Sequence, residues 1–136
     1  MITSFRGVYR FLSNFYPAPV LLDYHVYPTV EHAYQAAKSL DPDYRVLVQY
    51  ADTPGDAKRM GRRAVLRSDW DMVKLEVMER LVREKFRWPE FSKRLKATGD
   101  EELIEDNTWG DTYWGVSGGK GENHLGKILM KVRSEL

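Results

Sequence analysis

The sequence contains no cysteine, which excludes disulfides, thiolate metal sites and cysteine nucleophiles. It also has almost no excess charge. With 21 basic against 20 acidic residues the formal net charge is +1, so a strongly cationic DNA-coating protein is excluded, although a local basic patch is not. No apolar run approaches the roughly 20 residues of a membrane span, and the N-terminus lacks the apolar core of a secretory signal. A cytoplasmic location with no membrane partner is therefore expected. The three histidines, at 25, 32 and 124, show no HExxH-type spacing, so no metal is expected. No GxSxG elbow or GxxxxGK[ST] loop is present. What remains is a chain of 136 residues, 43% apolar, without linker, repeat or low-complexity tract. That length predicts one domain, residues 1–136, able to bury about two-thirds of its unfolded surface.

The first 28 residues read as strand and loop, with prolines at 17, 19 and 28. A hairpin is predicted to turn near Asp23–Tyr24, with Val20 and Leu22 on one arm and His25 to Tyr27 on the other. Helices follow. Thr29 caps one in which Val30, Ala33, Tyr34 and Ala37 recur at i, i+3, i+4 and i+7. Asp41–Pro42 and Thr53–Pro54 start two more, ending near Ala51 and Arg63. Ser68 is expected to cap the longest, with a stripe of Trp70, Val73, Val77 and Leu81 widened by Leu75, Met78, Val82 and Phe86. Pro89 opens a short helix that stops at Thr98–Gly99, and Asn123 caps the last, which carries Leu125, Ile128, Leu129 and Val132. The fold class is α+β, mainly helical with a small sheet.

Three groupings can carry chemistry. On the helix after Thr29, Glu31, Gln35 and Lys38 share one stripe beside the apolar one; it can line a pocket or be solvated surface, where Glu31 favours the helix dipole. His32 points about 100° from Glu31, which makes it a packing residue or one that supports a site residue from behind. The stretch 108–126, TWGDTYWGVSGGKGENHLG, combines six glycines with Trp109, Tyr113 and Trp114, whose faces can stack on a flat ring. Asp111 supplies a carboxylate there, and Asn123 with the following helix N-terminus offers amide donors for an anion. Burial of the tryptophans in a core is the competing reading, but so many glycines point to a ligand loop. Finally, Lys58, Arg59, Arg62 and Arg63, followed by Arg67, form a basic face for phosphates or for solvent. The acidic run Asp100, Glu101, Glu102, Glu105 and Asp106 is solvated surface or a partner for those cations.

The strings FLSNFYP (11–17), YPTVEHAYQAAK (27–38), GRRAVLRSDW (61–70), and DTYWG with GENHLGKILMKVR (111–133) together resemble the NADAR (YbiA-like) family in order and spacing. The resemblance implies a compact, mainly helical α+β domain that hydrolyses N-glycosidic bonds without metal or organic cofactor. By motif position it carries over Asn14, Glu31, Lys38, Arg62, Asp111, Trp114 and Asn123; catalytic roles are expected of Glu31 and Asp111, and substrate contacts of Asn14, Tyr34, Lys38, Arg62, Trp109, Trp114 and Asn123. Cleaving a ribosyl C–N bond passes through a transition state with oxocarbenium character, so negative charge near the sugar and a base for water are needed. Glu31 is expected to orient or deprotonate water or to face the cation, and Asp111 to hold ribose hydroxyls or act as its partner. Lys38 and Arg62 would hold phosphates, Trp114 and Trp109 would stack, and Asn14 and Asn123 would position the ribose or phosphate. Where the family often has glycine in the hairpin, this chain has Tyr24. The leading expectation is removal of ADP-ribose from guanine in DNA. Alternatives are cleavage of phosphorylated ribosylamino-pyrimidine intermediates of riboflavin synthesis, and a non-catalytic module binding ADP-ribose or NAD.

Overall fold

Thr29 begins the best-buried helix of the chain. In the computed structural model, which describes all 136 residues, its hydroxyl accepts from the His32 N–H at 3.0 Å, and the Asn14 carbonyl accepts from the Glu31 N–H at 3.1 Å. Two of the N–H groups that a helix start leaves unpaired are thus satisfied. The helix, α1, runs Val30–Ala37, and all eight of its residues are buried, polar ones included. It is covered by a hairpin, β1 (Val20–Leu22) and β2 (His25–Tyr27), and by three helices, α2 (Pro42–Gln49), α3 (Pro54–Arg62) and α4 (Trp70–Lys85). A helix enclosed on all sides has no solvated face, which is why the polar stripe lies inside. These elements belong to one compact unit, Asn14–Lys85.

Several local details follow from side-chain chemistry. His32 donates from Nε2 to the Ala51 carbonyl, 3.0 Å away, and its Nδ1 lies 2.7 Å from the Thr29 hydroxyl. A carbonyl only accepts, so Nε2 carries a proton, and the histidine is the packing residue expected. Thr29→Ala removes a helix cap and the Nδ1 partner together and should lower stability by about 1–2 kcal/mol in urea unfolding, with Thr29→Ser restoring most of it. The hairpin pairs Val20 with Tyr27 and Leu22 with His25, as predicted. Asp23 and Tyr24 both take positive φ, 47° and 70°, the geometry of a tight hairpin turn, and Tyr24 is held there without glycine and almost fully exposed. The longest helix starts at Trp70, so Ser68 lies ahead of it; its first carbonyl acceptor is Asp69, which bonds the Val73 N–H at 3.1 Å. Along α4, Leu75 is exposed where it was expected to widen the apolar stripe, and Lys85 is fully buried.

The second unit comprises Met1–Ser13 and Phe86–Leu136. Its first segment contains a 3₁₀ helix, Gly7–Leu12, where strand and loop were expected. It also holds α5 (Pro89–Lys96), a short parallel pair β3 (Asp106–Asn107) and β4 (Val116–Ser117), and α6 (His124–Ser134). Ile2 bonds Glu102 and Ile104 through its backbone, beside the fully buried Leu103. The architecture is α+β and helix-rich, and no helix is long and apolar enough to cross a membrane.

Candidate active site

Five of the expected site residues, Asn14, Glu31, Tyr34, Lys38 and Arg62, lie in the unit Asn14–Lys85. The backbone bond from Glu31 to Asn14 fixes the SNF segment against the start of α1, and the Asn14 amide donates to the Met78 sulfur at 3.5 Å. Glu31 is 8% exposed, and its Oε2 accepts a hydrogen bond of 2.8 Å from Gln35 Nε2. Its place in the first turn of α1 sets the carboxylate in the positive end of the helix dipole. Tyr34 is buried with its ring 5.2 Å from that of Trp70, and the Lys38 ammonium lies 5.8 Å from the Tyr34 ring centroid.

Lys38 is the most perturbed base of this cluster. Burial holds its ammonium below the ordinary 10.5; the Glu31 carboxylate opposes that shift, while the cations of Lys58, Arg62 and Lys74 add to it. Between the lowered folded value and 10.5 the unfolded chain keeps a proton that the folded one has lost, so stability gains from rising pH across that window. Below the window the folded state carries the full burden of a desolvated cation. Lys38→Met should therefore be more stable than wild type at neutral pH, with an advantage that shrinks as pH climbs toward 10.5; urea midpoints against pH measure it.

The basic face divides. Arg59 pairs with Asp56 and Arg67 with Asp69 at 2.6 Å, so these two are tied up within their own stretch, while Arg62 and Arg63 are exposed. In the other unit Glu101 pairs with the N-terminal amine.

That other unit carries Trp109, Asp111, Trp114 and Asn123. Asp111 Oδ1 accepts from the backbone N–H groups of Tyr113 (3.1 Å) and Trp114 (3.0 Å). The buried Asn107, which sequence reasoning missed, clamps the backbone of Asp111 by two hydrogen bonds of 2.9 and 3.0 Å. Asp111 thereby shapes the loop that presents Trp114. Trp109 is 58% exposed, whereas Trp114 is half-buried beside Tyr113 and His124, whose rings lie 4.9 and 6.4 Å from it.

Three expectations about this loop are corrected. Asn123 occupies the cap position of α6 with φ 53° but makes no cap bond; its amide instead donates to the Leu103 carbonyl and accepts from the Glu105 N–H, both at 3.0 Å. The helix start is no anion site either. The N–H groups of Asn123, His124 and Leu125 are taken by the carbonyls of Gly115, Tyr113 and Trp114. The glycines also need no ligand to explain them: Gly110, Gly118, Gly119 and Gly121 have positive φ, and a Cβ on Gly115 or Gly126 would strike a backbone carbonyl.

The chain and its fold are matched by known proteins. The NADAR domain profile matches residues 4–136. N-glycosidase YbiA of Escherichia coli is 42% identical over 132 residues, covering 94% of this chain and 82% of that protein. The solution structure of E. coli YbiA superposes with a TM-score of 0.86 at 39% identity, covering 99% of this chain and 84% of the other. A riboflavin biosynthesis protein of Vibrio vulnificus, VVA0006, is 42% identical over 130 residues, covering 93% of this chain but 35% of its own longer one. The chain belongs to the NADAR family. It is an N-glycosidase, a hydrolase acting on N-glycosyl bonds.

Proposed function

We propose that this enzyme hydrolyses the C1′–N bond of a phosphorylated N-riboside, and that its substrate is ADP-ribose carried on guanine in DNA. The observation that carries this reading is the gathering of cations around Lys38, next to the Glu31 carboxylate. Lys38, Lys58 and Arg62, with Lys74 shared with Asp71 at 3.5 Å, supply more positive charge than one phosphate monoester requires, and a diphosphate matches it better. As the C–N bond breaks, its electron pair leaves with the nitrogen and positive charge develops at C1′. Glu31 faces that charge or takes the proton of the attacking water, whose oxygen bonds C1′; the departing nitrogen ends protonated. Trp109 and Trp114 offer ring faces to a base, and Asp111 holds the loop that displays them. The exposed Arg63 suits a flanking phosphate, with the modified base presented unstacked.

The names of relatives favour a second reading. VVA0006 and a chloroplastic protein of Zea mays, PYRR, are named riboflavin biosynthesis proteins, so a phosphorylated ribosylamino-pyrimidine is the alternative substrate. Purified protein without added metal would be incubated with an oligonucleotide bearing ADP-ribosylated guanine and, separately, with the aminopyrimidine riboside phosphate. Free ADP-ribose released only from the oligonucleotide, with a KM that rises steeply with salt, supports the first reading. Ribose phosphate from the metabolite alone replaces it with the second. Tight ADP-ribose binding with neither product would leave a binding module.

A further inference from the structure

Gln35 stands one helical turn beyond Glu31, on the same face of α1, and is 4% exposed. An ionised carboxylate only accepts hydrogen bonds, so the bond of 2.8 Å requires the amide nitrogen of Gln35 to face Glu31. The amide oxygen must then point the other way. There it is buried and finds no hydrogen-bond partner. It lies against Gly61 of α3, where a Cβ would stand 1.7 Å from that oxygen. Gly61 is itself buried in a helix that a glycine weakens. Two local sacrifices, an orphaned acceptor and a helical glycine, thus serve one arrangement: a fixed N–H aimed at the Glu31 carboxylate. Native structures rarely leave a buried polar atom unpaired without a reason. Packing alone does not supply one, since a leucine would fill the same space with no orphaned atom.

We infer that Gln35 is a positioning residue for the reaction, holding Glu31 ionised and in a single rotamer, with Gly61 as the notch that lets it do so. This rests on the reading that Glu31 acts at the sugar. A neighbour four residues along a helix restricts both side chains, and a hydrogen bond to the charged form favours that form. The Lys38 ammonium on the same helix also interacts with the Glu31 carboxylate and, being a cation, favours its anion. Gln35 adds a hydrogen bond of fixed direction.

The test compares Gln35→Leu, Gln35→Glu and Gly61→Ala, using whichever of the two substrates wild type turns over. Losing one hydrogen bond to a charged group should lower kcat in Gln35→Leu about 10-fold with KM little changed. The acid limb of its kcat/KM profile should move to higher pH by about one unit. Gln35→Glu should move that limb further, because two adjacent carboxylates share a proton. Gly61→Ala pushes the amide aside from the opposite helix and should reproduce the Gln35→Leu phenotype, with no further loss in the double variant. A ¹³C titration of the Glu31 carboxyl in wild type and Gln35→Leu reads the same coupling without turnover. Folded Gln35→Leu protein with wild-type kcat, acid limb and Glu31 titration would overturn the inference. Normal turnover in Glu31→Gln would instead sink the role of Glu31, while the titration still reported whether Gln35 acts on it.

Discussion

Glu31→Gln is expected to lower kcat at least 10²-fold, the lower end of what a positioned acid–base group contributes. The substitution isolates charge with little else altered. A glutamine at 31 keeps the size, and its amide oxygen can still accept from Gln35 Nε2, the bond that now measures 2.8 Å. The helix start is also kept, because Thr29 and the Asn14 backbone satisfy it without the side chain. A thermal midpoint near or above that of wild type is therefore expected, since the variant removes a buried charge. Steady-state release of the sugar product, measured beside calorimetry, decides the matter: an intact fold with near-normal turnover removes Glu31 from the mechanism.

The second large effect concerns the other unit. Gly126→Ala should destabilise the protein by roughly 3 kcal/mol, the upper range for forcing atoms into a packed site, which is about 10 °C in thermal midpoint for a chain of this length. A Cβ at 126 would stand 2.1 Å from the Leu103 carbonyl and within 2.6 Å of both Asn123 amide atoms. Neither obstacle is the loose end of a flexible side chain. The carbonyl belongs to a segment tied to Ile2, and the amide is the clamp that joins residues 103 and 105 to the start of α6. Asn123→Ala removes the two clamp bonds without the collision and should be milder, about 2 kcal/mol. Because both changes attack one clamp, the double variant should fall well short of their sum. Additive losses in scanning calorimetry would show that Gly126 and Asn123 act separately.

Turn and cap chemistry was legible because it is local. Thr29, Asp41 and Thr53 cap their helices with side-chain bonds, and the hairpin turns at Asp23–Tyr24 as read. Ser68 and Asn123 mark the limit of that reading. Serine and asparagine favour caps, yet at 68 the chain bends once more before Trp70, and at 123 a distant carbonyl won the amide. Burial was less legible. Leu75 lies exposed and Lys85 buried on the same helix because what covers each face comes from elsewhere in the chain.

For the candidate site, the sequence by itself determined the residue types and their spacing: Glu31, Gln35 and Lys38 on one helical stripe, and Asp111 with its tryptophans in a glycine-rich loop. It also carried the family strings that the comparisons match over nearly the whole chain. Only the tertiary structure decided that the stripe is buried, that Gln35 turns its nitrogen to Glu31 because Gly61 makes room, and that cations from α3 and α4 bear on Lys38. It decided too that the α6 N–H groups and the loop glycines serve the backbone. The reason is range. Caps and turns are settled by bonds within a few residues, whereas desolvation and the partner of a buried polar atom are set by helices far apart in sequence that close around it.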